Sequence, residues 1–329
     1  MNKKIENKGI SVIICCYNSI ARIKPTLQHI AMQDVPNNIS WEVILVDNNS
    51  NDGTADFARQ LWMNFEKEVF LHIVTEKKAG LNYAREKGIV TSAYEYIIFC
   101  DDDNWLNFSY VSTVYELMSN NDRIGVLGGI GTAVSDTTLP KWFEDLQSFY
   151  AVGKQHHTEG NIGYKAVYGA GMVLRKSYFL YAKNKGFKAL LSGRKENQLS
   201  SGEDYELCLV MILLGYEIWY NERLSFKHFI SKARLNWDYL SKLNDANGQV
   251  MFVSIAYYHH LKQYPINLGF YLLFGLKFSL SFLVNLIFPP FSYLKKQRNQ
   301  IKQTYLLKYF KNWRLYKDMR NEINNWIFQ

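Results

Sequence analysis

Four short apolar runs rich in β-branched residues, each stopped by polar residues and separated by helical patterns, fill the first hundred positions. They are GISVIICC (9–16), Trp41–Val46, Leu71–Thr75 and Tyr96–Cys100. Continuous apolar runs of this length suit strands buried on both faces, the habit of parallel sheets. Between the first two, Ile20, Ile23, Leu27, Ile30 and Ala31 fall at helical spacing. Helices are also expected at 54–66 and 80–87, the first capped from the turn-rich segment Asp47–Thr54. The alternation βαβαβαβ predicts an α/β fold with a mostly parallel sheet flanked by helices and ligands at the carboxyl ends of its strands. Polar residues sit at those ends: Asn18 after the first strand, Asp47 after the second, Asp101–Asp103 after the fourth.

Beyond residue 110 the pattern is less regular. A helix is expected at 108–120, then a glycine-interrupted strand at 124–129, a loop-rich stretch at 131–165 and a glycine-marked strand at 168–174. Ser200, Ser201 and Gly202 precede an amphipathic helix at 203–214 that stops at Gly215, and strands follow at 216–220 and 226–229. The four cysteines, Cys15, Cys16, Cys100 and Cys208, lie in apolar segments without metal-ligand spacing and read as free thiols of a reducing compartment. The start of the chain lacks the pattern of a signal peptide, so a cytosolic catalytic region is expected.

Three consecutive carboxylates after an apolar strand repel one another. A solvated loop would tolerate them. Two chemistries would use them: Asp101 and Asp103 could clamp a diphosphate through Mg²⁺ or Mn²⁺, or one Asp could be the nucleophile of a phosphohydrolase. Three βα units precede the triplet, which favours the clamp. On that reading a cation offsets the repulsion, and the loop is expected to be poorly ordered without it. Glu203 and Asp204 occupy a helix first turn, where acids are favoured by the macrodipole alone. His228 follows a strand 24 residues after Asp204 and is a candidate third metal ligand or a plain core histidine. Arg85, on a short helix starting at Gly80, could neutralise a diphosphate or simply be solvated.

The blocks SVIICCYN, EVILVDNNSNDGT, GLNYAREKG, YIIFCDDDN, GAGMVLRKS, GEDYELCLVMILLGYEI and KHFISKAR, in this order from about residue 9 to 235, resemble the family 2 glycosyltransferases of the GT-A fold. The resemblance implies a nucleoside-diphosphate sugar donor, a divalent cation with the DXD motif, and inverting transfer to a hydroxyl of a glycan or lipid-linked acceptor. It implies that Asp47 contacts the base or ribose with Tyr17 and Asn18 nearby. Arg85 and Arg234 would sit near the phosphates. Asp101 and Asp102 would face the ribose and hydrated cation, Asp103 would bind the cation directly, and His228 would complete the metal shell. Glu203 and Asp204 would match the acidic motif, with Asp204 the base. The chain departs from the pattern at Cys16, where proline is common, and at Asn48, where a second acid is frequent. A non-catalytic sugar-nucleotide or glycan-binding protein on the same scaffold is the rival expectation.

The expected division is a catalytic domain at 1–235, with a donor half at about 9–110 and an acceptor half at 111–235, followed by a helical region at 236–329. The segment 269–288 holds eight Leu/Ile/Val and five Phe, interrupted by Lys277 and Asn285 and followed by Pro289-Pro290. Its length fits a bilayer span, an interfacial helix or a re-entrant hairpin. Residues 295–329 carry nine Lys/Arg against Asp318 and Glu322, so this tail holds most of the net charge of +8. Basic and aromatic residues together suit anionic headgroups. They also suit single-stranded nucleic acid, against which the adjacent apolar segment argues. The expectation is membrane association at the cytoplasmic face and no nucleic-acid partner.

Overall fold

The computed structural model describes residues 7–191, 202–287 and 292–328. Ser200, Ser201 and Pro289-Pro290, singled out above, lie outside the described residues. The first half alternates as expected: β1 (Ile10–Cys16), α1 (Ile23–Ala31), β2 (Trp41–Asp47), α2 (Thr54–Met63), β3 (Leu71–Thr75), α3 (Leu81–Thr91) and β4 (Tyr96–Asp101). These four strands are parallel in the order β3-β2-β1-β4. Ile10, Val12, Ile13, Ile14, Ile44, Leu45 and Ile98 are fully buried, each contributing about 1.5–3 kcal/mol of apolar burial.

β5 (Asn104–Leu106), α4 (Tyr110–Ser119), β6 (Ile124–Val134), α5 (Phe143–Leu146), β7 (Gly160–Asn161), β8 (Val173–Arg175), α6 (Lys176–Asn184), α7 (Glu203–Leu213) and β9 (Glu217–Phe229) extend the sheet. β8 joins β4 antiparallel, and the order continues β8-β6-β9-β5, with β6 and β9 parallel and β7 on the side of β9. Two expectations change here. The glycine-marked strand shrinks to β8 because Gly171 adopts φ +69 and its carbonyl accepts from Tyr110 Oη (2.6 Å), which makes 169–172 a turn. The two strands expected at 216–220 and 226–229 are one continuous β9, because β6 pairs along its length through two register shifts.

The C-terminal third is helical: α8 (Trp237–Leu261), α9 (Leu268–Ile287), α10 (Tyr293–Lys311) and α11 (Trp313–Phe328). Asn236 caps α8, its side chain accepting from Tyr239 N–H (2.9 Å). Phe252, Val253, Ala256 and Tyr257 of α8 share one apolar cluster with Leu207, Val210 and Met211 of α7. The change of architecture near residue 235 is therefore not a break in the core. Among the described residues, no helix is long and apolar enough to cross a membrane.

Candidate active site

Strand register brings the polar ends together. Cys16 pairs with Asp47 across β1 and β2, and Cys15 with Asp101 across β1 and β4, so the carboxyl ends of these strands finish level. A cavity of about 620 Å³ opens there, lined by Cys15, Cys16, Tyr17, the 101–103 triplet, His228 and Arg234 on one side and by Glu203 and Asp204 on the other. Four residues of α8, Tyr239, Leu243, Asn247 and Val250, close a wall. Burial pushes the thiols of Cys15 and Cys208 up to about 12, so Cys15 is a neutral lining group and not a nucleophile.

The three carboxylates meet three different arginines. Asp101 lies 3.7 Å from Arg85 Nη2. Asp102 accepts from Arg22 Nε (3.0 Å) and Nη2 (2.7 Å) and from the Ser19 hydroxyl, while its carbonyl accepts from Thr26 Oγ1 (2.9 Å). Asp103 accepts from Arg234 Nη1 at 2.9 Å and from Asn104 Nδ2 at 3.2 Å. The chain itself thus offsets the repulsion expected to require a cation. Burial and the neighbouring Asp103 raise the Asp102 pKa, against the pull of Arg22 and Ser19. Its carboxylate holds Ser19 and Arg22 just ahead of α1, at the cavity lining.

His228 reaches the triplet through sheet register. β5 and β9 pair antiparallel with Asn104 opposite His228, and Phe229 N–H donates to the Asp103 carbonyl at 2.9 Å. His228 Nε2 consequently stands 3.4 Å from Asp103 Oδ1, and its buried Nδ1 has no hydrogen-bond partner. Asp101 is turned to Arg85 instead, and among the described residues no three His, Cys, Asp or Glu side chains gather as a metal cluster. The expected set of Asp101, Asp103 and His228 is therefore reduced to an Asp103–His228 pair. A carboxylate and an imidazole fit a hard cation that takes its remaining ligands from phosphate and water.

Across the cavity, α7 begins at Gly202, in the left-handed region at φ +99, so Glu203 and Asp204 form its first turn. Asp204 Oδ2 accepts from Gly169 N–H (2.6 Å), and Oδ1 accepts from Tyr205 N–H (2.8 Å). Burial and then the Asp204 carboxylate push the Tyr168 phenol up to about 12. Arg85 is 7% exposed, donates to Glu203 Oε1 at 3.3 Å and lies 5.0 Å from the Phe99 ring. Burial alone would depress its pKa, but Glu203, Asp101 and Asp204 raise it, so it stays charged.

Asn18 and Asp47 do not line this cavity. Asn18 N–H donates to Ser50 Oγ (2.9 Å) and its Oδ1 accepts from Asn51 N–H, while Asp47 Oδ1 accepts from Ser50 N–H (3.2 Å), so both brace the 47–53 loop. The next residue, just past the end of β2, is the one that reaches the cavity. Asn48 lines the cavity, donates to the carbonyls of Glu76 and Lys78 and accepts from Gly80 N–H (2.8 Å). Sequence reasoning missed Arg22 and the α8 wall, and it marked Gly169 only as one glycine of the 168–174 segment. Arg22 sits beside YNS without a motif of its own, and α8 reaches the site only through tertiary packing.

The sequence profile of glycosyl transferase family 2 matches residues 11–179. The chain is 32% identical over 123 residues to a cholesterol galactosyltransferase of Borreliella burgdorferi, covering 37% of this chain and 32% of that protein. It is 25% identical over 122 residues to a poly-beta-1,6-N-acetyl-D-glucosamine synthase of Staphylococcus epidermidis, covering 37% of this chain and 28% of that protein. The aligned part is thus about a third of each relative's length. In fold, the chain resembles S. aureus TarS 1-349 in complex with UDP-GlcNAc, at a TM-score of 0.52 and 16% identity over 92% of both chains.

Proposed function

Since the chain belongs to glycosyl transferase family 2, we propose that it transfers a sugar from a nucleoside-diphosphate sugar, by preference a UDP-sugar, to a hydroxyl of a glycan or lipid-linked acceptor, with inversion. The reading assigns catalysis to residues 1–235, with the donor bound by the half before residue 110 and the acceptor by 111–235, at the cytoplasmic face of a membrane. It serves synthesis of a cell-surface polysaccharide or glycoconjugate. The observation that carries it is one cavity with the Asp103–His228 pair on one wall and the Asp204 carboxylate, fixed by Gly169, on the other.

Asp204 takes the proton of the acceptor hydroxyl as that oxygen bonds to the anomeric carbon. The bond from this carbon to the diphosphate oxygen breaks, and the nucleoside diphosphate leaves with the electron pair. Glu203 holds Arg85 beside Asp101, and Arg85 and Arg234 offer positive charge to the diphosphate. Asp103 and His228 would hold Mn²⁺ or Mg²⁺, which when bound supplies charge against the leaving group.

The test is transfer with a panel of nucleotide sugars, with and without chelator. Asp204→Asn is expected to lower kcat about 10²- to 10⁴-fold while donor Kd, measured by calorimetry, changes less than about twofold. Full transfer by this variant would remove Asp204 as the base. Donor binding without turnover in the wild type would favour the binding-protein alternative.

A further inference from the structure

We infer that the outward face of α9 is a docking surface for an anionic lipid bilayer, with the helix lying in the plane of the interface. The inference rests on the membrane-facing reading above and gives it residues and a geometry. The inner face of α9 is committed to protein. Tyr271 stacks on Tyr309 with ring centroids 3.9 Å apart, and each hydroxyl donates to the other residue's carbonyl. Phe274 packs edge-on against His259 at 4.3 Å, and a Cβ added at Gly275 would fall 2.8 Å from the Tyr309 ring. This side cannot turn to lipid without dismantling the bundle of α8, α10 and α11.

The opposite side is a row of leucines. Leu272, Leu273, Leu276, Leu280 and Leu283 recur at helical spacing on one face, and Leu273, Leu280 and Leu276 are 72%, 65% and 59% exposed. Such a contiguous apolar stripe is costly to leave in water. The charges around it choose its occupant. Lys277 is exposed at the edge of the stripe, and its stem can lie along the leucines while its ammonium reaches headgroups. α10, packed beside α9, carries Lys295, Lys296, Arg298, Lys302, Lys308 and Lys311 and no acid. A second copy of the chain would bring the same positive excess against itself, whereas anionic headgroups complement it. A helix with one apolar face free and basic residues at its side lies on a bilayer rather than across it.

Flotation of the full chain with vesicles of phosphatidylcholine alone and of phosphatidylcholine mixed with phosphatidylglycerol tests this. The chain is expected to float with the anionic vesicles, more weakly with neutral ones, and to be released by alkaline carbonate. Leu273→Gln/Leu276→Gln/Leu280→Gln should lower partitioning by at least about tenfold and leave donor hydrolysis in vesicle-free buffer unchanged. These side chains are exposed, and an unshifted thermal melt verifies that the variant folds. Flotation of the triple variant equal to wild type overturns the inference. So does resistance to carbonate, which marks a span, and so does leucine-dependent self-association that ignores vesicles, which marks a second copy. Loss of donor turnover by the wild type would count against the glycosyltransferase reading alone, leaving the vesicle result intact.

Discussion

Asp101, Asp102 and Asp103 are neighbours in the chain, yet their side chains go to Arg85, Arg22 and Arg234, which come from three separate segments. This sorting gives the acids different roles: Asp102 anchors α1, while Asp103 stays beside His228. Gly169 has a comparable part at the other wall. A Cβ there would lie 2.8 Å from Arg85 Nη2 and 3.1 Å from Asp204 Oδ2. Gly169→Ala is therefore expected to push the guanidinium off Glu203 and Asp101 and to lower transfer about 10- to 100-fold. Because the guanidinium is the flexible end of a long side chain, the melting temperature should change little. A steady-state assay paired with calorimetric melting checks this, and unchanged transfer would refute the positioning role. The acidic residues of the site were legible because charge after an apolar strand is conspicuous. Arg22 and the role of Gly169 were not, because their partners are 80 and 35 residues away.

At the scale of elements, register does the assembling. His228 meets Asp103 because β9 runs unbroken to Phe229 and pairs with the three-residue β5. The helical region depends similarly on one buried network: His259 Nδ1 lies 2.6 Å from Tyr316 Oη, and Arg320 donates to the same oxygen (2.9 Å) and to the Tyr264 carbonyl. Burial, aided by Arg320, lowers the His259 pKa from 6.5 to about 4. A depressed folded-state pKa means the unfolded chain binds the proton first, so stability is full above about pH 6.5 and falls as pH drops toward about 4. The loss is on the order of 2–3 kcal/mol. Urea melts across this range should show it, and His259→Gln should flatten the profile. A variant with the wild-type pH slope would place the titrating group elsewhere.

Over the whole molecule, the central sheet and the C-terminal helices are joined through α7. The buried Glu206 carboxylate accepts from Leu190 and Leu191 N–H and from Tyr257 Oη (2.6 Å), while Phe252 and Val253 pack on the same core. A fragment ending at residue 235 would expose this surface and strand Glu206 without its α8 partner. It is expected to lack a cooperative thermal transition, by circular dichroism, whereas the full chain shows one. A cooperative melt from the fragment would show that α8 is dispensable to the core.

The succession of strands and helices in the first hundred residues, the helical tail and the acidic clusters were determined by local pattern. Alternating apolar runs and helical spacing are written within windows of ten or so residues, and they fix element type wherever propensity and burial agree. Tertiary structure alone decided which arginine holds which acid, that Asn48 rather than Asp47 faces the cavity, and that α8 closes it. It also decided which face of α9 remains uncovered. Those outcomes depend on strand register and on contacts between residues far apart in the chain, and a local pattern carries neither.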